Sequence, residues 1–313
     1  MRKNFLNSVR IEGYVYECTK LEEKVSGPNS KNPGTPFIAG ILNIATDDEI
    51  TNIVSIHFTY VTEKTAKGNV NKTYTVLKDI INGKYPNVMT VGKEKAAKVR
   101  IDTAIAVNDF YNRDNELVSA KRNEGGFVQI VNKLPEKEND RNHFDADMII
   151  TNTRRIEADD EKNLPEKMIL HGCIFDFKKS LLPVEFTVLK PAAMDYFESL
   201  EPSQKNPIFT RVGGNQISQT VVKTITEESA FDEGMVRTVT TNRKDWVVTY
   251  APKETYSFGA DEDCDMTPAF LAEAMQNREV YLATIKQRQD EYNASKNGVA
   301  APMAAKADSA FNF

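Results

Sequence analysis

Residues 36–61 read PFIAGILNIATDDEITNIVSIHFTYV, and residues 167–189 read KMILHGCIFDFKKSLLPVEFTVL. Each stretch is an apolar run containing a glycine (Gly40, Gly172), then a polar turn, then an alternating run around a phenylalanine (Phe58, Phe186). Alternation of apolar and polar residues is the period of a half-buried strand, and two such runs joined by a short polar segment make a hairpin. A stretch with helical spacing follows each hairpin: Tyr74, Leu77 and Ile81 in the first case, residues 192–200 in the second. A hairpin-and-helix unit that occurs twice predicts a mainly β fold of two small five-stranded barrels in tandem.

The remaining strands fall around these hairpins. Residues 7–18 (NSVRIEGYVYEC) place Val9, Ile11 and Val15 on one face and Arg10, Glu12, Tyr14 and Tyr16 on the other, as the opening strand of the first barrel. Residues 20–36 carry Gly27, Pro28, Pro33, Gly34 and Pro36 and read as a long loop. Residues 97–107 and 127–132 supply the last two strands, with 112–126 as the loop between them. After a charged linker (133–142) the order repeats: a strand at 147–156, the second hairpin, and strands around 221–225 and 236–250. The word Pro86-x4-Val91-Gly92 returning as Pro207-x4-Val212-Gly213 supports the repeat. The expected organisation is a first barrel over 1–135, a second over 143–255, a helix over 267–293 and a disordered tail over 294–313. Thr267 and Pro268 suit the start of that helix, and Leu271, Met275, Leu282 and Ile285 form its apolar stripe.

The net charge of -5 is unevenly spread over the 313 residues. Residues 1–135 hold 19 basic and 15 acidic residues, the remainder 21 and 30, and residues 61–100 hold nine bases against three acids. A local basic region inside an acidic chain suits a phosphate-bearing partner. No signal-peptide pattern or run of membrane-spanning length occurs, so a cytoplasmic protein with no membrane association is expected. Three scattered cysteines and three scattered histidines lack the spacing of a disulfide framework or a zinc site, so neither metal nor cofactor is expected. Gly213-Gly214 and Gly125-Gly126 do not continue into a phosphate loop, and no nucleophile elbow exists, so the chain does not read as an enzyme.

A small barrel with an exposed hairpin face binds single-stranded nucleic acid through stacking rings and cations, because every base has a π-face and every nucleotide a phosphate. The candidates for that role are Arg10, Tyr14, Tyr16, Phe37 and His57, with Lys64, Lys67, Lys72, Lys93, Lys95 and Lys98 from the basic region. Phe58 and Tyr60 share the parity of Val54 and Ile56 and read as core. The second hairpin is apolar on both faces (His171, Cys173, Phe175 and Phe177 against Leu170 and Ile174) and reads as a packing surface, and Trp246 as buried.

The first-strand phrase NSVRIEGYV (7–15) and the phrase VSIHFTYV (54–61) resemble the opening of bacterial and phage single-stranded DNA-binding proteins of the OB-fold type. The resemblance covers the first barrel more closely than the second, and two barrels in one chain are similar to a phage or divergent version. It implies sequence-tolerant binding of single-stranded DNA during replication, recombination or repair, and it allows for a homo-oligomer. It also implies a C-terminal tail that docks replication or recombination proteins, here through Asp308, Phe311 and Phe313. Only Asp308 is acidic in that segment, and Asn312 stands where the family has proline. The alternative function is a structural or scaffold protein of a virion or assembly, using the barrels and the C-terminal helix for protein contacts.

Overall fold

The computed structural model describes residues 5–28, 30–160, 164–227, 235–261 and 263–296. It is mainly β, with ten strands in one hydrogen-bonded system. The first five are β1 (Asn7–Val25), β2 (Pro36–Ala45), β3 (Ile53–Thr62), β4 (Lys98–Tyr111) and β5 (Leu117–Ile130). They close a ring in the order β1-β2-β3-β5-β4-β1, in which only the β3–β5 pair is parallel. The next five are β6 (Asn142–Ile156), β7 (Lys167–Phe175), β8 (Leu181–Val188), β9 (Ile208–Glu227) and β10 (Met235–Tyr250). They close a second ring in the same order, again with one parallel pair, β8–β10. Five-stranded closure of this kind is the OB architecture, and it leaves no sheet edge unpaired around each ring.

Each ring carries a helix between its third and fourth strands. Helix α1 (Lys72–Ile81) follows β3, is capped by the Asn71 side chain accepting from Thr73 N, and buries Tyr74, Leu77 and Ile80. A short turn α2 (Val88–Val91) leads towards β4, and α3 (Pro191–Ser199) follows β8 and buries Met194 and Phe197. One continuous apolar cluster runs through both rings, from Val9, Ile11 and Ile101 to Phe144, Phe186 and Val212. The two glycines of the hairpins have the same task. A Cβ on Gly40 would stand 1.8 Å from the Lys20 carbonyl oxygen, and one on Gly172 1.9 Å from that of Ile149, so only glycine lets β2 and β7 cross their first strands so closely.

Several boundaries differ from the sequence reading. Strand β1 continues to Val25, so the loop spans residues 26–35 only; Leu21 alone anchors this charged extension in the core, and the ladder to β2 does the rest. The expected loop 112–126 is a tight turn at 112–116, where Asn112 Oδ1 accepts from Asp114 N and Glu116 N, followed by strand. The repeated Pro-x4-Val-Gly word is fortuitous: Val91-Gly92 ends a helical turn, whereas Val212-Gly213 lies inside β9. The two phenylalanines are also not equivalents, because Gly40 pairs with Phe58 but Gly172 pairs with Val184.

The rings are joined along their first strands, Asn7 of β1 to Ala146 of β6 and Ile11 to Asn142. Each ring also extends a hairpin arm over the other. At one crossing, Asn123 of β5 and Gln216 of β9 exchange two amide hydrogen bonds of 2.9 and 3.0 Å, both residues being buried. At the other, Lys121 of β5 donates to the Glu185 carbonyl oxygen with its ammonium 4.6 Å from the Phe186 ring and 4.9 Å from Trp246. Burial lowers the Lys121 pKa to about 7, against the opposing pull of Glu185 and Asp245.

The sign of that shift gives a pH test. The unfolded lysine keeps its proton up to about pH 10.5 while the folded one loses it near 7, so wild-type stability gains across that window. In Lys121→Met the gain is absent. The stability difference therefore moves towards the wild type by up to about 2.5 kcal/mol between about pH 6 and about pH 9, measured by urea unfolding. A difference that is flat with pH rejects the assignment.

Helix α4 (Pro268–Lys296) closes the second ring. Thr267 Oγ1 accepts from Phe270 N at its start. Its buried row is Phe270, Ala274 and Arg278, one residue away from the expected stripe, and Met275 is 51% exposed. Phe270 and Ala274 join Ile149, Phe175, Leu181 and Phe209 in a second cluster with Phe5 at its edge. Arg278 reaches across to the first ring, bonding Asp109 of β4 through both terminal nitrogens at 2.7 and 2.5 Å.

Candidate nucleic-acid interface

The candidate residues of the first ring separate into three groups along the β2–β3 hairpin and a fourth position elsewhere. At the open end, Phe37 packs against Tyr60 in a tilted contact, with ring centroids 4.6 Å apart and planes at 39°. Tyr60 is 48% exposed, and its hydroxyl lies 3.0 Å from Ser26 Oγ, at the root of the 26–35 loop. Phe37 pairs in register with Thr62, whose hydroxyl donates to the Lys64 carbonyl oxygen and whose own carbonyl accepts from Asn71 Nδ2. These bonds bring the turn bearing Lys64 and Lys67, both exposed, and the first residue of α1, Lys72, to the aromatic pair.

Tyr60 was expected in the core and is not there. Between Ile38↔Val61 and Gly40↔Phe58, β3 carries one more residue than β2, a bulge that turns both Thr59 and Tyr60 outwards. Phe58 stays buried. A bulge leaves no mark in the alternation pattern, and so parity alone misses this ring.

At the other end of the hairpin, Tyr14 sits on β1 opposite Ala45 and Lys98. The ammonium groups of Lys98 and Lys93 lie 5.8 and 6.0 Å from its ring. Its hydroxyl donates to Asp48 Oδ1 at 3.1 Å, and the Asp48 carboxylate also takes Arg141 Nη1 and Nη2 at 3.0 and 3.2 Å. Burial and the Asp48 bond push the Tyr14 hydroxyl pKa up, and the Arg141 bonds hold the Asp48 carboxyl down. Lys95 is exposed in the turn Lys93–Lys95 beside this group, and Tyr16 is half-buried further along β1.

His57 lies between the two ends, paired with Ile41 of β2 and with Glu124 of β5. Burial, then the Arg122 guanidinium, lower its pKa from 6.5, so at neutral pH it offers an uncharged ring. The eight steps from Phe37 to Ala45 make the face about 26 Å long at ~3.3 Å per residue, a span in keeping with the ~4 to 16 nucleotides one OB fold takes.

Arg10 does not join this face. It lies on the strand that seams the two rings, with Nε 2.7 Å from Asp102 Oδ1. Asp308, Phe311 and Phe313 lie outside the described residues.

The corresponding face of the second ring is occupied. Helix α4 seals the Phe175 and Leu181 end of the β7–β8 hairpin, the Lys121 arm lies at Glu185, and His171 Nδ1 bonds the Glu185 carboxylate at 2.9 Å. Phe177 at the hairpin tip is 70% exposed. Among the described residues, no group of three or more His, Cys, Asp or Glu is placed to hold a metal ion, and no helix is long and apolar enough to cross a membrane.

Two closed five-stranded rings, one with an open hairpin face and one with that face covered, define a tandem OB-type barrel protein. The chain belongs to the YorF family, whose model matches residues 6–288. No curated protein matches it. Among solved structures it is similar to a deletion variant of the single-stranded DNA-binding protein from Thermus aquaticus, at 9% identity and a TM-score of 0.45, over 83% of this chain and 100% of that one.

Proposed function

We propose that the chain binds single-stranded DNA, without sequence preference, along the β2–β3 face of the first barrel. The observation that carries the reading is the exposed Tyr60 ring against the half-buried Phe37, set beside the Lys64 and Lys67 turn. Two rings held at the mouth of a barrel give bases a stacking platform, and mobile ammonium groups next to them neutralise the phosphates between. Tyr14, with Lys93 and Lys98 against its ring, extends the same chemistry to the far end, and His57 supplies an uncharged ring between them. Tyr16, Lys72 and Lys95 flank this path. The acidic remainder of the protein does not oppose it, because charge acts within about one Debye length, ~8 Å at physiological salt.

Salt dependence tests the phosphate half of the reading. Each lysine that neutralises a phosphate of a single strand contributes about 0.7 to the slope of log affinity against log salt. Gel shifts of single-stranded and duplex oligonucleotides at several salt concentrations are expected to show single-strand binding that weakens with salt. Lys64→Gln/Lys67→Gln is expected to flatten the slope by about 1.4. Binding of duplex and single strand alike, or an unchanged slope, rejects the proposal.

A further inference from the structure

Strand β2 sets three alternate residues along the open face of the first barrel: Ala45 beside Tyr14, Asn43 between Glu17 and Ser55, and Ile41 beside His57. By alternation Glu17 shares the core parity of Val15, but a bulge between the two turns it outwards. The middle row is therefore polar on all three strands. Ser55 Oγ donates to Asn43 Oδ1 at 2.8 Å, Asn43 Nδ2 donates to Glu17 Oε2 at 3.2 Å, and Thr19 Oγ1 donates to Glu17 Oε1 at 2.6 Å. This relay orients the carboxylate and still leaves each of its oxygens able to accept from a ligand. The bonds from Thr19 and Asn43 hold the Glu17 carboxyl below its ordinary pKa, so it is an anion at neutral pH.

The other carboxylates of the face are matched by cations. Glu124, beside His57, takes Arg122 Nε and Nη2 at 2.9 and 2.7 Å and Thr59 Oγ1 at 2.5 Å, and Asp48 takes Arg141. Glu17 makes no ion pair among the described residues. An unmatched anion in the middle of a face that draws a polyanion turns phosphates away from that spot, and what it accepts there is a hydrogen-bond donor. Unpaired bases carry such donors on their Watson–Crick edges. Cytosine, adenine and guanine each present an amino group, and a carboxylate accepting from the cytosine amine is a standard pairing. Thymine presents a single N–H between two carbonyl oxygens, which the carboxylate repels. The second barrel has the same row in closed form. Gly172 stands in β7 as Gly40 does in β2, and three residues on, Phe175 pairs with Leu181 where Asn43 pairs with Ser55. There the row is apolar and lies under α4, whereas in the first barrel Ser55 is exposed and Asn43 and Glu17 are half-exposed.

We infer that Glu17 reads the bases on this face, accepting from the amino group of a cytosine, adenine or guanine that lies between Tyr14 and His57, and so biases the site against thymine. The inference rests on the single-strand reading above: stacking and phosphate contacts set no order of bases, and the carboxylate adds a bias in composition. Anisotropy titrations with labelled oligodeoxycytidine and oligodeoxythymidine of equal length test it. The wild type is expected to hold the cytidine strand about 10-fold more tightly, within the range of one well-placed base contact. Glu17→Gln keeps the length of the side chain, but its amide donates to a thymine carbonyl as readily as it accepts from a cytosine amine. The ratio is expected to fall to about 2-fold or less, through a gain for the thymidine strand as well as a loss for the cytidine strand. A wild type that holds the thymidine strand as tightly as the cytidine strand overturns the inference and leaves the single-strand reading standing. So does a Glu17→Gln protein that keeps the wild-type ratio, whether both affinities rise together, as for a bystander charge, or neither moves, as for a tie between strands. Absence of binding to either strand removes the single-strand reading, and the inference with it.

Discussion

Replacing Phe37 and Tyr60 together by alanine is expected to lower the affinity for a single-stranded oligonucleotide by about 10- to 100-fold, because stacking of one base on an aromatic side chain contributes ~1–3 kcal/mol. Tyr60 is exposed and Phe37, half-buried, packs against it outside the core cluster, so the loss falls on the ligand more than on the fold. Phe58, two residues from Tyr60, makes the control: it is buried in the barrel, and its replacement by alanine costs about 3–5 kcal/mol of stability through the cavity left behind. Fluorescence anisotropy of a labelled oligonucleotide separates the two outcomes. Unchanged affinity in the Phe37→Ala/Tyr60→Ala protein removes the aromatic pair from the interface.

The second large effect is structural. Arg278→Ala is expected to cost about 3–5 kcal/mol, the usual penalty when one partner of a buried ion pair is left alone. The Asp109 side chain is fully enclosed (0% exposed), and it accepts from Ser119 as well as from both terminal nitrogens of Arg278. Without the guanidinium its charge has no adequate replacement. Replacing both partners, as Asp109→Leu/Arg278→Met, is expected to recover most of the loss, since the uncompensated charge goes with its partner. Because the pair ties α4 to the first barrel, the single variant also loosens the clamp over the second, and its helix is expected to be cut earlier by protease. Urea unfolding of the three proteins checks the ledger. A loss below about 1 kcal/mol in the single variant, the scale of an exposed pair, contradicts the account.

Much of this was legible in the residues. The two hairpins, the two helices that follow them and the alternation of β1 specify a mainly β chain of ten strands, because strand period and loop length are local properties. The apolar outer face of the second hairpin announced that it packs, and α4 with the Lys121 arm is what it packs against. What escaped was set by tertiary contact. The charged extension of β1 through Lys20, Glu22, Glu23 and Lys24 reads as loop and is strand only because β2 lies beside it. Tyr60 is turned outwards by a bulge that the sequence does not mark. Arg10 had the expected outward parity, yet parity cannot say which of several outer faces a strand shares. The seam between β1 and β6 decides that, and no local pattern encodes a pairing across 130 residues.

The central claim, that one barrel face holds single-stranded DNA while its counterpart is closed, has one direct measurement. Hydrogen exchange of the full chain, with and without a saturating single-stranded oligonucleotide, reports which backbone becomes protected. The account predicts slowed exchange in the 26–35 loop, at residues 37–41 and 57–61 and in the 62–71 turn, with no change along β7 and β8. Protection that falls on β7 and β8, or no protection anywhere at saturating oligonucleotide, contradicts it.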